Sequence, residues 1–146
     1  MNTAKKLALC CVSMLSLAVA TACIQVTPPS FVETINTDWT TMPLKAGVTP
    51  DQAWINALDI IMGSYDMEMI NKDAAYARSA WTYAATRSGS LQGPYRTRVI
   101  FRLSPNKDAL LLKVEAQSGG EGRWISGYDV DILNNIKQDI TAIIGR

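Results

Sequence analysis

The spacing of apolar side chains changes repeatedly along the chain, and each change marks a predicted element. Leu7 to Ala20 is an apolar run of about 14 residues behind Lys5 and Lys6. That is the length of a signal-peptide core and too short to span a bilayer as a helix. From Pro50 to about Gly63 the spacing is helical, with Trp54, Ile55, Leu58, Ile61 and Met62 on one stripe. Thr49 and Gln52 form a capping box around Pro50, and Gly63 is a natural stop. The period then drops to two. Asp66 to Ile70 predicts a short strand and Asn71-Lys72-Asp73 a turn. Ala74 to Ala85, carrying Tyr76, Trp81 and Tyr83, predicts the next strand, although its alanines leave a helix open. Ser88 to Pro94 is a flexible loop.

The clearest alternation follows. Tyr95, Thr97, Val99, Phe101 and Leu103 share one face of a strand, with Arg96, Arg98, Ile100 and Arg102 on the other. Ser104 to Asp108 turns the chain, and Ala109 to Gln117 returns with Leu110, Leu112, Val114 and Ala116 on one side. Ser118 to Gly122 is read as a loop. A last helix runs from about Gly127 to Ile144, with Ser126 and Asp129 as a second capping box. Its stripe is Ile132, Leu133, Ile136, Ile140, Ile143 and Ile144. The order is helix, four strands, helix. It predicts an α+β fold of two layers, an antiparallel sheet of about four strands covered on one face by two helices. Ahead of it, Ile24 to Val48 reads as a tether, extended at Thr27-Pro28-Pro29-Ser30. Phe31, Val32, Ile35 and Trp39 predict that part of the tether docks as an edge strand around Val32 to Trp39.

Composition narrows the classes of function. The 146 residues, 48% apolar and 18% charged, suit one folded domain. Fourteen basic side chains stand against 13 acidic ones, which gives no field to select nucleic acid. There is no His, and so no Ser-His or Cys-His device. The only cysteines are Cys10, Cys11 and Cys23. Ala20-Thr21-Ala22-Cys23 has the form of a bacterial lipobox, in which Cys23 is acylated and becomes the mature N-terminus; an ordinary signal cut before Cys23 is the alternative. The expected division is a signal peptide over 1–22, an acylated N-terminus and tether over 23–48, and the α+β domain over 49–146. Several acyl chains anchor durably where one does not. Without residues 1–22 the chain keeps 12 basic and 13 acidic side chains. The lipid on Cys23, rather than a basic patch, is therefore expected to hold it to the membrane. Residue 24 is Ile and not Asp, which by resemblance to the sorting rules of Gram-negative lipoproteins favours the inner leaflet of the outer membrane, facing the periplasm.

Candidate chemistry is sparse. Arg96, Arg98 and Arg102 project from one strand face, with Arg78 on the strand before. They read as a surface for an acidic partner or a lipid phosphate, or as a solvated face cross-paired with Glu115. Trp124, after Gly119 to Gly122, is the best aromatic candidate to anchor a partner. Core packing accounts for most other aromatics, Trp81 and Tyr83 among them. The glycine loop lacks a phosphate-cradle pattern, and Asp129, Asp131, Asp66 and Glu68 are too scattered for a metal or a hydrolytic pair. No catalytic residue, metal or cofactor is expected. The expected role is an accessory or scaffold protein that binds envelope proteins. The alternative is a carrier holding an apolar ligand or lipid between the last helix and the sheet, at Phe101, Leu110, Leu112 and Ile136.

Several stretches also carry a likeness: Ala53-Trp54 through Leu58, Asp73 leading to Trp81-Thr82-Tyr83, Tyr95-Arg96-Thr97-Arg98-Val99, Lys113-Val114-Glu115-Ala116-Gln117, and the closing helix. Over Trp54 to Arg146, about two-thirds of the chain, it resembles lipoprotein domains related to the C subunit of the outer-membrane barrel-assembly machinery. The resemblance implies a helix-grip α+β fold and a non-enzymatic accessory role at the outer membrane.

Overall fold

The computed structural model describes residues 27–84, 95–120 and 122–144. The expected signal peptide, Cys23, the loop from Ser88 to Pro94 and Glu121 lie outside the described residues.

The expected sheet of about four strands is corrected: the described residues form an antiparallel sheet of eight strands. They are β1 (Phe31–Glu33), β2 (Thr40–Pro43), β3 (Met67–Asn71), β4 (Tyr76–Ser79), β5 (Thr82–Tyr83), β6 (Tyr95–Leu103), β7 (Ala109–Gly120) and β8 (Arg123–Asp129). Helix α1 spans Pro50–Met62 and α2 Val130–Ile144. The long hairpin β6–β7 is the centre, paired in register from Tyr95↔Ser118 to Leu103↔Leu110. The order is β1-β8-β7-β6-β4-β3; β2 shares one edge of β7 with β8, and β5 shares one edge of β6 with β4.

The hairpin's alternation decides where the core lies. Val99, Phe101, Leu103, Leu110, Leu112 and Val114 face one way and bury against Trp54, Ala57 and Ile61 of α1 and Ile136, Ile140 and Ile144 of α2. Trp54 stacks on Phe101 with ring centroids 4.8 Å apart. Both helices therefore cover one face and leave the other free. In α1 the capping box forms as read, Gln52 N–H donating to Thr49 Oγ1 at 3.2 Å and Thr49 N–H to Gln52 Oε1 at 3.1 Å. The buried stripe is narrower than the apolar one, since Ile55 and Met62 of α1 and Ile143 of α2 are exposed.

Four local readings are corrected. Two pieces of the expected tether are sheet, residues 31–33 and 40–43: β1 pairs with β8 and β2 with β7. The glycine-rich stretch is not an open loop; β7 runs on to Gly120, and Gly119, at φ +136°, is so tight against β8 that a Cβ there would lie 2.0 Å from Arg123 O. Ser126 is within β8, so α2 starts later than Gly127, with Asp129 as its cap. Finally, the stretch expected as one strand from Ala74 to Ala85 is neither one strand nor a helix over its described residues 74–84. Residues 72–75 turn, with Ala75 at φ +44°, and a slip splits the rest. The Ser79 hydroxyl accepts the Val99 N–H at 2.9 Å and donates to Ala80 O at 2.9 Å, which replaces a ladder bond. The pairing with β6 then shifts by one residue, from Arg78↔Ile100 to Thr82↔Thr97. A bulge of this kind re-aims the side chains that follow it, here Trp81.

Candidate functional site

The helix-free face of the sheet carries a row of cations set against tryptophans. The β6 alternation points Arg96, Arg98 and Arg102 to this face. The Ser79 bulge brings Trp81 in from one side, the β8 register brings Trp124, and the approach to β2 brings Trp39. The Arg96 guanidinium lies 4.5 Å from the Trp81 ring centre and 4.2 Å from that of Trp124. Its Nε and Nη2 donate to Gln117 Oε1 at 2.9 and 2.6 Å, and Nη1 donates to Tyr83 OH at 3.1 Å. Arg98 lies 4.4 Å from the same Trp81 ring. It holds Glu115, its register partner on β7, at 2.6–2.7 Å through Nε and Nη2. Ile100, between these arginines, is only 6% exposed although no helix covers it. The overlying side chains form a thin second layer.

Arg102 differs. It is exposed, its guanidinium lies 4.7 Å from the Trp39 ring centre, and Lys113 Nζ lies 5.0 Å from the same ring. Among the described residues the ion pairs are Arg98–Glu115 and Arg78–Glu68, so neither Arg102 nor Lys113 has an acidic partner. The Arg78–Glu68 contact, 3.0 Å from Nε to Oε2, is one of charge rather than an aligned hydrogen bond. Of the four side chains picked from sequence, Arg96, Arg98 and Trp124 are thus engaged within the sheet, and Arg102 keeps a free charge. Trp39 and Lys113 were missed. The first sits in the stretch read as tether and the second alternates unremarkably, and only the β2–β7 pairing brings them together.

A second polar group lies at one end of the core. Asp129 Oδ1 caps α2 by accepting the N–H groups of Asp131 and Ile132 at 3.1 and 3.0 Å. Its Oδ2 accepts the Tyr95 hydroxyl at 2.5 Å and the Ser30 hydroxyl at 3.0 Å. Burial, then the hydrogen bond to Asp129, push the Tyr95 phenol well above its ordinary value. Burial likewise raises Tyr65, against the opposing effect of the Thr97 side chain. The Asp129 contacts join β6, β8, α2 and the turn before β1, and their chemistry is structural: the carboxylate and the Tyr95 and Ser30 hydroxyls satisfy one another.

Other candidates are dispersed. Phe101, Leu110, Leu112 and Ile136, named for an apolar ligand, are buried in the core. A cavity of about 260 Å³ opens instead beside Lys113 and Glu115, where the edge of β7 away from β6 is unpaired between β2 and β8, under residues 34–37. A second, of about 420 Å³, lies beyond it against Val32, Tyr128 and Leu133. Neither is lined by those four residues. Among the described residues no three Cys, Asp or Glu gather as metal ligands, and no helix is long and apolar enough to cross a membrane. Neither a protein-family model nor a curated protein matches the chain.

Proposed function

We propose that this chain is a lipid-anchored envelope protein, held at the periplasmic side of the outer membrane by Cys23, that works by binding other envelope proteins rather than by catalysis. Trp39, Arg102 and Lys113 on the helix-free face are its grip, and the feature recognised is an acidic segment of the partner. One observation carries the reading: two cations rest on one tryptophan with no carboxylate partner among the described residues, while their neighbours Arg78 and Arg98 on the same sheet each have one. Guanidinium and ammonium groups held over an aromatic ring keep their charge and lose little freedom on meeting a carboxylate. The lipobox carries the address, and the near balance of charge elsewhere gives no competing pull from nucleic acid.

The test is site-specific photo-crosslinking in intact cells of the full-length protein. A photoreactive residue replacing Arg102 is expected to give an adduct with an acidic stretch of another envelope protein. The same residue replacing Asp59, on the exposed side of α1, is expected to give none. The double variant Arg102→Gln/Lys113→Gln should lose recovery of that partner under mild detergent, and Arg78→Gln should not. Equal adducts from both positions, or unchanged recovery by the double variant, would refute the assignment.

A further inference from the structure

We infer that the β7–β8 hairpin, at Arg123, Trp124 and Ile125, is the surface this protein lays on the lipid headgroups. The inference rests on acylation of Cys23 and adds an orientation to it. Contacts with the sheet are in place by Thr27, four residues after Cys23. Thr27 Oγ1 and Ser118 Oγ share a hydrogen bond of 2.6 Å, and Phe31 already belongs to the sheet. The four steps from Cys23 to Thr27 span at most about 14 Å even fully extended. The β6–β7 hairpin between Tyr95↔Ser118 and Leu103↔Leu110 is eight register positions long, about 27 Å. The tether is therefore shorter than the domain. An acylated Cys23 lies at the interface itself, so the end of the sheet holding Thr27 must lie close to it.

What that end offers fits a bilayer surface. Ile125 is the register partner of Ser118, the residue that holds Thr27, and it is 46% exposed on the side where the helices pack. Trp124 is half-buried on the opposite face, and Arg123 is exposed beside it. An aliphatic side chain, an indole and a guanidinium at one strand end suit the acyl boundary, the interface and the phosphates respectively. The opposite end, at Pro105 to Asp108, is polar and exposed. With the hairpin down, β6 and β7 rise from the membrane and carry Trp39, Arg102 and Lys113 toward the periplasm, where a partner can reach them.

The test uses the full-length acylated protein in vesicles of phosphatidylethanolamine and phosphatidylglycerol. Acylation blocks Cys23, so a single introduced thiol takes a nitroxide label: Ile125→Cys, Arg123→Cys or, at the far end, Lys107→Cys. Depth is read from collision with oxygen against a water-soluble nickel chelate. The oxygen-to-nickel ratio at 125 and 123 should exceed that at 107 several-fold. Equal ratios at the two ends would overturn the inference. Mass spectrometry of the same sample separates the two levels: an acylated Cys23 with a watery residue 125 refutes the orientation alone, whereas an unmodified Cys23 refutes the anchor and the orientation with it.

Discussion

Asp129 binds three segments with one carboxylate. One oxygen caps α2 and the other receives hydroxyls from β6 and from the turn before β1. Asp129→Ala removes a helix cap, worth about 1 kcal/mol, and strands the buried Tyr95 hydroxyl, worth about 1–3 kcal/mol. Chemical denaturation should show a loss of about 2–4 kcal/mol, against a smaller loss for Ser30→Ala. Tyr95 and Tyr65 add a dependence on pH whose sign follows from burial. Both are held above the ordinary phenol value of 10.0, so above that pH the unfolded chain gives up phenolic protons that the folded chain keeps. Stability is complete below pH 10 and falls as pH rises beyond it, by up to about 1.4 kcal/mol per pH unit for each phenol. In Tyr95→Phe, denaturation measured from pH 9 to 11.5 should give a shallower decline. The partner-binding candidates belong to this scale too. Sequence alternation was enough to put Arg96, Arg98 and Arg102 on one face, but it is silent on which cation lacks a carboxylate.

At the scale of elements, two close approaches shape the sheet. β1 lies so near β8 that a Cβ on Gly127 would stand 2.1 Å from Val32 O and 2.8 Å from the Phe31 ring. Gly127→Ala should push β1 away and separate Phe31 from Tyr95, whose rings meet edge to face at 5.9 Å. A cost of at least about 2 kcal/mol, with early exchange of the β1 amides by hydrogen–deuterium exchange, is the expected outcome. The Ser79 bulge is the second. Ser79→Ala leaves the buried Val99 N–H without its acceptor, which costs about 1–3 kcal/mol. It should also shift Trp81 against Arg96 and Arg98, visible as a change in tryptophan fluorescence; a variant as stable as the parent with an unchanged spectrum would contradict the role given to this bulge. Helix α1 and the β6–β7 hairpin were legible because each carries its own period and its own turn or cap. The strands of two to four residues were not, because so short a run has no period to read.

Across the whole molecule, one face of the sheet is covered by helices and the other by its own long side chains. The core is the hairpin's apolar side closed by two helix stripes. Phe101, 0% exposed and stacked on Trp54, should cost about 3–5 kcal/mol as Phe101→Ala in equilibrium denaturation. The sequence by itself determined the α1 cap, the long hairpin and its two faces, because these depend on neighbours within a few positions along the chain. It also sets the near-balance of charge. Only the tertiary structure decided that the described residues form a sheet of eight strands, that two separate pieces, residues 31–33 and 40–43, join it at different edges, that Trp81 and Trp124 meet across Arg96, and that Trp39 draws Arg102 and Lys113 together. Each of those rests on pairing between segments far apart in the chain, where register and a one-residue bulge, rather than local spacing, choose which side chains become neighbours.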